Sequence, residues 1–296
     1  PTLTHKEGAH PMGTVTPLSP QDVVERVDEL PPMPSSISEV IIACDDPDMT
    51  VGQLTQVVLK DQNLTASILK LANSSFYGHT RRVATITEAV VLLGFSAIKS
   101  LAISSHTARL LKVPLPGYGM DEGELWKHSL GVAFTARRLA IEVQLAPVEE
   151  AYVAGLLHDI GKLVLSQQLE GAYEDVSARA NELKRPFHVV EAEMVGFDHA
   201  EVGARVAAAW SFPAELEEAV RCHHDPTAAQ LKPQLSHVVH MADAACMMLG
   251  IGLGADGLAY HVAPETLAMF SFDQDRLVAL LDEMEPLLSA DAGQAL

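Results

Sequence analysis

The sequence predicts an all-α protein made of two helical subdomains. Apolar residues recur at helical spacing in most segments, and Ser, Thr, Asp or Pro stands where those segments would begin. No segment of five or more residues alternates as a half-buried strand would. Hydrophobic residues make up 48% of the 296 positions, which is enough for a sizeable folded core.

Capping residues divide the N-terminal half into short helices. They predict, in chain order, a helix from Ser19-Pro20 to about Leu30, one from Ser35 or Ser36 to about Cys44, one after Thr50, one capped by Asn63, one over 86–93 started by Thr85 or Thr87, and a long one from Ser96 to about Lys112. Gly94 suits the end of the fifth helix, because glycine accepts the left-handed backbone that often follows a helix.

Residues 113–119 contain two prolines and two glycines in seven positions and predict a linker. We therefore expect a disordered leader at 1–19, an N-terminal helical subdomain at 20–112 and a second helical subdomain at 120–290. The predicted helices of the second subdomain lie near 122–141, 148–157, 160–169, 171–184, 187–195, 198–210, 213–222, 235–250 and 273–288.

Charge and cysteine usage restrict the possible partners. The formal net charge is −19, and such an acidic surface repels both nucleic-acid backbones and anionic lipids. The three cysteines show no CxxC spacing, which fits a reducing cytoplasm. No signal-peptide pattern and no run of about 18 apolar residues is present, so we expect a cytoplasmic protein without a membrane helix.

Seven histidines and aspartates form the candidate functional set of the chain. Imidazole and carboxylate groups bind first-row metals, and each of the seven lies in or beside a predicted helix. If the helices bundle, the side chains can converge on one or two ions. The set consists of His128, His158, Asp159, His199, His223, His224 and Asp243.

Taken singly, each member of this set also has an ordinary explanation as a core or surface side chain. For Asp159 the argument is that an ionised carboxylate between two apolar stretches must be paired or bound to metal. The chain has a second His-Asp pair, His224-Asp225, which lacks that apolar context. The remaining histidines are assigned to ordinary structural positions, with a role in supporting the ligands left open for His237 and His240.

The order of the set resembles a known pattern. Residues 122–250 resemble the HD superfamily of metal-dependent phosphohydrolases, whose ordered His, His-Asp and Asp ligands match His128, His158-Asp159 and Asp243. The string His158-Asp-Ile-Gly-Lys162, together with His199 and the pair His223-His224, resembles the HD-GYP phosphodiesterases, which use a further His and a His pair for a second metal. The Gly-Tyr-Pro element of that group is absent, and the chain reads Asp225-Pro-Thr-Ala-Ala there.

Four strings in the N-terminal half resemble the HDOD domain, an HD-related output domain of bacterial signalling proteins. The resemblance covers about residues 20–250 and implies a regulatory module. The strings are Leu30-Pro-Pro-Met-Pro34, Asp61-Gln-Asn-Leu-Thr65, Leu69-Lys-Leu-Ala-Asn-Ser-Ser75 and Ile86-Thr-Glu-Ala-Val-Val-Leu-Leu-Gly94.

These resemblances imply two functions. The first is a bacterial signalling output module with a dinuclear site for divalent Fe, Mn, Zn or Ni, acting on a signalling protein or a small phosphorylated ligand. The alternative is a metal-dependent phosphohydrolase acting on a nucleotide or a cyclic dinucleotide. Asp159 would then bridge two ions and Lys162 would neutralise phosphate charge. A purely structural helical protein is the third reading.

Overall fold

The computed structural model describes residues 17–77, 81–170, 172–251 and 261–291, and within these residues the regular secondary structure is helical throughout. One isolated β-bridge, between Leu115 and Met120, is the exception. The predicted all-α fold is therefore confirmed. Among the described helices, none combines the length and the apolar character that crossing a membrane requires.

Six helices precede the predicted linker. They are α1 (Pro20–Asp28), α2 (Ser35–Asp45), α3 (Val51–Leu59), α4 (Gln62–Ala72), α5 (Ile86–Leu93) and α6 (Phe95–Leu111). Ser19, Thr50 and Thr85 each cap a helix reciprocally with the residue three positions later, as their sequence context predicts. Gly94 ends α5 with a φ of 83°.

The cap of α4 differs from the prediction. Asp61, and not Asn63, is the N-cap residue, so that prediction was wrong. The Asp61 carboxylate accepts the backbone N–H groups of Asn63 and Leu64 at 2.9 and 3.0 Å. A carboxylate can satisfy two of the free donors at a helix start, and it begins the helix two residues earlier.

Residues 113–120, called the connector below, are packed into the molecule. Leu115, Tyr118 and Met120 are all nearly inaccessible to solvent. The backbone groups of Leu115 and Met120 exchange hydrogen bonds of 2.9 and 3.1 Å, which closes the segment into a tight loop. The connector thus forms part of the hydrophobic core between α6 and the helices that follow.

Ten helices follow the connector. They are α7 (Glu124–Glu142), α8 (Val148–Leu157), α9 (Lys162–Leu169), α10 (Tyr173–Leu183), α11 (Phe187–Val195), α12 (His199–Ala209), α13 (Ala214–Arg221), α14 (Pro233–Met248), α15 (Pro264–Phe270) and α16 (Gln274–Asp291). The sequence did not predict α15, which has only seven residues. The predicted leader lies outside the described residues as far as residue 16.

The packing of these helices brings distant parts of the chain together. Helix α7 packs against α8 and α14, while α12 packs against α9 and α13. The turn between α8 and α9 therefore lies where α7, α12, α13 and α14 meet. A close approach of two backbones fixes part of this arrangement, because a Cβ atom at Gly161 would lie 2.0 Å from the carbonyl oxygen of His199.

Candidate metal centre

The structure brings all seven predicted site residues together at this meeting point. His128 lies on α7, His158 and Asp159 in the turn after α8, and His199 at the first position of α12. The remaining members, His223, His224 and Asp243, lie after α13 and on α14. Six of the seven are no more than 3% exposed, and His224 is half-buried.

The first group of ligand atoms comprises His128, His158, Asp159 and Asp243. Nε2 of His128 lies 3.2 Å from Nε2 of His158 and 3.2 Å from Oδ1 of Asp243. Oδ2 of Asp159 lies 3.6 Å from the His128 Nε2 and 3.4 Å from the His158 Nε2. Two imidazoles and two carboxylates thus point at one small volume.

The second group comprises His199, His223, His224 and the same aspartate. Nε2 of His199 lies 2.8 Å from Nε2 of His224 and 3.2 Å from Oδ1 of Asp159. Nε2 of His223 lies 3.9 Å from the same Oδ1. The two oxygens of Asp159 therefore face different groups, the geometry that a carboxylate bridging two ions requires.

The opposite ring nitrogens of four histidines are held by acceptors. Nδ1 of each lies 2.7–2.9 Å from an oxygen, so it carries the hydrogen and donates it. In the neutral form of such a ring Nε2 is the nitrogen left without a hydrogen, and in each of the four it faces the centre. Hydrogen bonds of this kind orient metal-binding histidines in proteins. The pairs are His128 with the Ile251 carbonyl, His158 with the Gly155 carbonyl, His223 with the Val220 carbonyl and His199 with the Glu191 carboxylate.

Two buried polar atoms at the centre make no hydrogen bond within the described residues. They are Oδ1 of Asp159 and Nε2 of His223. Nε2 of His199 lies 3.2 Å from the first of them. Leaving such groups unpaired costs about 1–3 kcal/mol each. Because both atoms are metal-ligand types and both point into the second group, the residues present fit a bound divalent ion.

The carboxylates of the first group are held in their ionised form. Burial would raise the pKa of Asp159, but the adjacent His158 and Lys162 outweigh burial and hold that pKa well below its usual value. Burial likewise opposes ionisation of Asp243, yet a hydrogen bond from His128 and the proximity of His158 lower its pKa. Ionised carboxylates are the form that binds metal.

The imidazoles of the second group differ in protonation. Burial and the adjacent rings hold the pKa values of His223 and His224 well below the ordinary range, so both are neutral. Burial also acts on His199, but the Glu191 carboxylate beside it outweighs that effect and raises its pKa. In the absence of a metal, His199 therefore carries a proton that metal binding would displace.

Lys162 is the predicted phosphate-neutralising residue. Its ammonium is 2.8 Å from Oδ2 of Asp159, and the residue is only 4% exposed. It also lies 5.5 Å from the centroid of the Tyr118 ring. In this arrangement the charge of Lys162 stabilises the ionised Asp159. Its role towards a phosphate stays a prediction.

Several supporting residues were not predicted from the sequence. Glu191 on α11 accepts hydrogen bonds from both Nδ1 and the backbone N–H of His199, at 2.7 and 3.0 Å. Its other oxygen accepts a hydrogen bond from the hydroxyl of Tyr118. His188 stacks on the ring of His224 with centroids 4.0 Å apart. A single glutamate or tyrosine inside an ordinary helix or loop carries no sequence pattern that would single it out.

The second His-Asp pair and the neighbouring histidines have other functions in the fold. Asp225 is exposed and caps the short turn 226–228 by accepting the N–H of Thr227. His240 bonds through Nδ1 to the His223 carbonyl at 2.8 Å and accepts the Ala263 N–H at 3.0 Å. His240 therefore helps to hold the backbone of the histidine pair and offers no free ring nitrogen to the centre.

Fold and site together define an all-α protein with a buried histidine and aspartate centre able to hold metal ions. The HDOD domain model matches residues 30–226, which is more than half of the chain. The chain therefore belongs to the HDOD domain family. The match spans both sides of the connector.

Solved structures show the same fold over nearly the whole chain. An HDOD domain protein of unknown function from Geobacter sulfurreducens is 25% identical, with a TM-score of 0.69 over 92% of this chain and 94% of its own. A Shewanella amazonensis protein provisionally named a phosphohydrolase is 28% identical, with a TM-score of 0.68 over 93% of this chain and 95% of its own.

Curated relatives are longer than this chain. An uncharacterised protein of Treponema pallidum is 28% identical over 223 residues, which is 73% of this chain and 42% of that protein. Ribonuclease Y of Mycoplasmoides gallisepticum is 28% identical over 108 residues, 36% of this chain and 15% of the ribonuclease. The chain thus spans less than half the length of these relatives.

Proposed function

We propose that this chain is a metal-binding regulatory module of bacterial signal transduction. The observation that carries the proposal is a complete ligand set sealed inside the core of an HDOD fold. Six of the seven ligand residues are almost inaccessible, and the ammonium of Lys162 is engaged by Asp159. A buried centre of this kind suits stabilisation and switching of the surrounding helices more than turnover of a bulky substrate.

Two ions fit the donor atoms. His128, His158, Asp159 and Asp243 would hold one, and a second ion would lie between Asp159, His199, His223 and His224. His223 also lies close enough to His158 and Asp243 to share an ion with them. Nitrogen and carboxylate ligands suit divalent Fe, Mn, Zn or Ni. The partner of the module is a signalling protein or a small phosphorylated ligand. The acidic net charge of the chain argues against nucleic acid as the partner.

A metal-dependent phosphohydrolase is the second candidate function. It is favoured by the position of Asp159, whose oxygens face both groups, and by the 28% identity to the protein provisionally named a phosphohydrolase. Bound divalent ions would supply Lewis acidity and a more acidic water at neutral pH. Lys162 would have to leave Asp159 to reach a phosphate oxygen, and the half-buried edge near His188 and His224 would have to admit the substrate.

The two His-Asp pairs provide a matched test. Metal content of the purified full chain, measured by plasma mass spectrometry, is expected to be one or two equivalents. Asp159→Asn is expected to lose most of it, since it removes the charge between both groups. Asp225→Asn, at the exposed aspartate of the other pair, should retain it. Metal-free wild-type protein, or equal metal in both variants, would refute the proposed centre.

Activity separates the two functions once metal is bound. The metal-loaded chain is incubated with nucleotides, cyclic dinucleotides and a generic phosphodiester. The regulatory proposal expects no turnover above the Asp159→Asn background. Turnover that disappears in Asp159→Asn, and persists in Asp225→Asn, would replace it with the phosphohydrolase.

A further inference from the structure

The connector reaches the metal centre through one side chain. Tyr118 is 1% exposed, and its hydroxyl donates a hydrogen bond to Oε1 of Glu191. The ring of Tyr118 also lies beside the ammonium of Lys162, which in turn pairs with Asp159. A segment placed between two predicted subdomains is thus in contact with supports of both ligand groups.

Glu191 transmits this contact to one ligand. It is fully buried, and its Oε2 holds both Nδ1 and the backbone N–H of His199. These two bonds fix the ring of His199 and the first residue of α12 together. With Oε1 taken by Tyr118, both oxygens of Glu191 are bonded, and its position depends on the tyrosine.

The connector has little freedom to move independently. The N–H of Gly117 faces the hydroxyl of Ser166 on α9 at 3.3 Å, and a Cβ atom at Gly117 would lie 2.1 Å from the Ser166 carbonyl oxygen. Helix α9 begins at Lys162, just after the turn that carries Asp159. If His199 or the turn that carries Asp159 moves, Tyr118 must therefore move as well. Conversely, a movement of Tyr118 shifts both His199 and this turn.

We propose that Tyr118 and Glu191 are positioning residues that couple metal occupancy of the second group to the conformation of the connector. The proposal rests on the metal binding proposed above and assigns its regulation. Filling the second group would fix His199, Glu191 and Tyr118 in the arrangement described here. Coupling between two sites is reciprocal. A partner that displaces the connector would therefore weaken metal binding by the same factor by which bound metal weakens the binding of that partner.

Metal affinity tests the positioning role. Zn²⁺ binding to the full chain is measured by competition with a chromophoric chelator in wild type, Tyr118→Phe and Glu191→Gln. We expect the binding step of the second group to lose about 10- to 100-fold in Glu191→Gln, the usual effect of removing a support of a ligand histidine, and to lose less in Tyr118→Phe, because Tyr118 acts through Glu191. Tyr152→Phe is the control, since Tyr152 is also fully buried but its hydroxyl bonds to Ser104.

Hydrogen exchange tests the coupling. In wild type and Tyr152→Phe, Zn²⁺ should slow exchange of the amides at 117–120 relative to protein treated with chelator. In Tyr118→Phe that difference should vanish although the ion of the first group remains bound. Tyr118→Phe removes a single hydroxyl, so it keeps the test usable if circular dichroism shows that Glu191→Gln does not fold.

The outcomes separate this inference from the proposed function. Wild-type protein that binds no Zn²⁺ overturns both. Wild-type binding of Zn²⁺ with unchanged affinities in both variants, or with connector exchange indifferent to metal, overturns the coupling alone. Equal losses in Tyr152→Phe also overturn it, because the effect would then come from any buried tyrosine.

Discussion

The charge balance at the centre is decided by a few buried residues. Asp159, Asp243 and Glu191 are carboxylates with at most 3% exposure, and Lys162 is the buried ammonium beside them. An uncompensated buried charge is strongly destabilising, so the remaining negative charge has to be balanced by protons on the imidazoles or by metal. Burial opposes protonation of His158, yet the adjacent Asp159 raises its pKa, which is the protonated alternative to a bound ion.

Glu218 supports the loop that follows the histidine pair. This residue on α13 is buried, and its carboxylate accepts the backbone N–H groups of Gln230, Leu231 and Lys232 at 2.7–3.1 Å. Burial would raise its pKa, but these three donors outweigh burial and lower it. The loop it holds joins α13 to α14, the helix that carries Asp243.

We expect Glu218→Gln to cost about 1–3 kcal/mol of unfolding free energy at neutral pH, because a charged acceptor of three N–H groups is replaced by a neutral amide. The pKa of Glu218 is lower in the folded than in the unfolded chain. Its contribution is therefore complete above its ordinary value of 4.5 and is lost as the pH falls through the lower folded value.

Urea unfolding of wild type and Glu218→Gln at several pH values measures the contribution of Glu218 to the free energy of unfolding. Glu215→Gln, an exposed carboxylate on the same helix, is the control and should change stability by less than about 0.5 kcal/mol. A wild-type advantage that stayed constant from neutral pH to well below 4.5 would contradict the assignment.

Some residues of the site could be predicted from the sequence, and others could not. The seven histidines and aspartates could be selected because their order and the Gly161-Lys162 after the first pair match a pattern. Glu191 could not, since the chain has 39 acidic residues and only the folded structure shows which one meets His199. Tyr118 was placed in a predicted linker, where burial is not expected from proline and glycine content.

At the scale of elements, the contact of the α8–α9 turn with α12 determines whether the two ligand groups meet. A Cβ atom at Gly161 would lie 2.0 Å from the His199 carbonyl oxygen and 2.6 Å from the Gly203 nitrogen. Both are backbone atoms, so no side chain can move aside. Glycine is required here for close approach, and not for an unusual φ.

Gly161→Ala is therefore expected to separate α12 from the turn. We expect a loss of about 2 kcal/mol or more in stability, together with weaker metal binding at the second group. Gly52→Ala is the matched control, because Gly52 lies in α3 with nothing within 4 Å of its Cβ position. That variant should gain about 0.4–1 kcal/mol. Thermal unfolding with and without Zn²⁺ measures both, and an unaffected Gly161→Ala would contradict the close contact.

Most helices were predictable because their signals are local. Caps such as Thr50 and Thr85 and the glycine at 94 lie within a few residues of the ends they set. The cap of α4 was misplaced because Asp61 and Asn63 are both good cap residues, and two N–H bonds to the carboxylate decide between them. Helix α15 was missed because seven residues hold too few turns to show a period.

At the scale of the whole molecule, the hydrophobic core continues across the connector. One cluster of buried residues runs from Val23 and Ile98 to Val239 and Leu288. Polar contacts follow the same course, with Ser104 of α6 bonded to Tyr152 of α8 at 2.9 Å and Arg26 of α1 bonded to Gln168 of α9 at 3.1 Å. The two predicted helical subdomains therefore share their buried surface.

With a shared core, a metal ion held by the C-terminal helices would also stabilise the N-terminal ones. We expect calorimetry of the full chain to show a single unfolding transition, because neither set of helices can separate without exposing apolar surface. A ligand at about 100 times its dissociation constant stabilises the folded state by about 2.7 kcal/mol, so Zn²⁺ should raise the single Tm by about 5 °C. In Asp159→Asn the transition should stay single and lose the shift. Two transitions, of which Zn²⁺ moves only one, would show instead that the helices before and after the connector unfold independently.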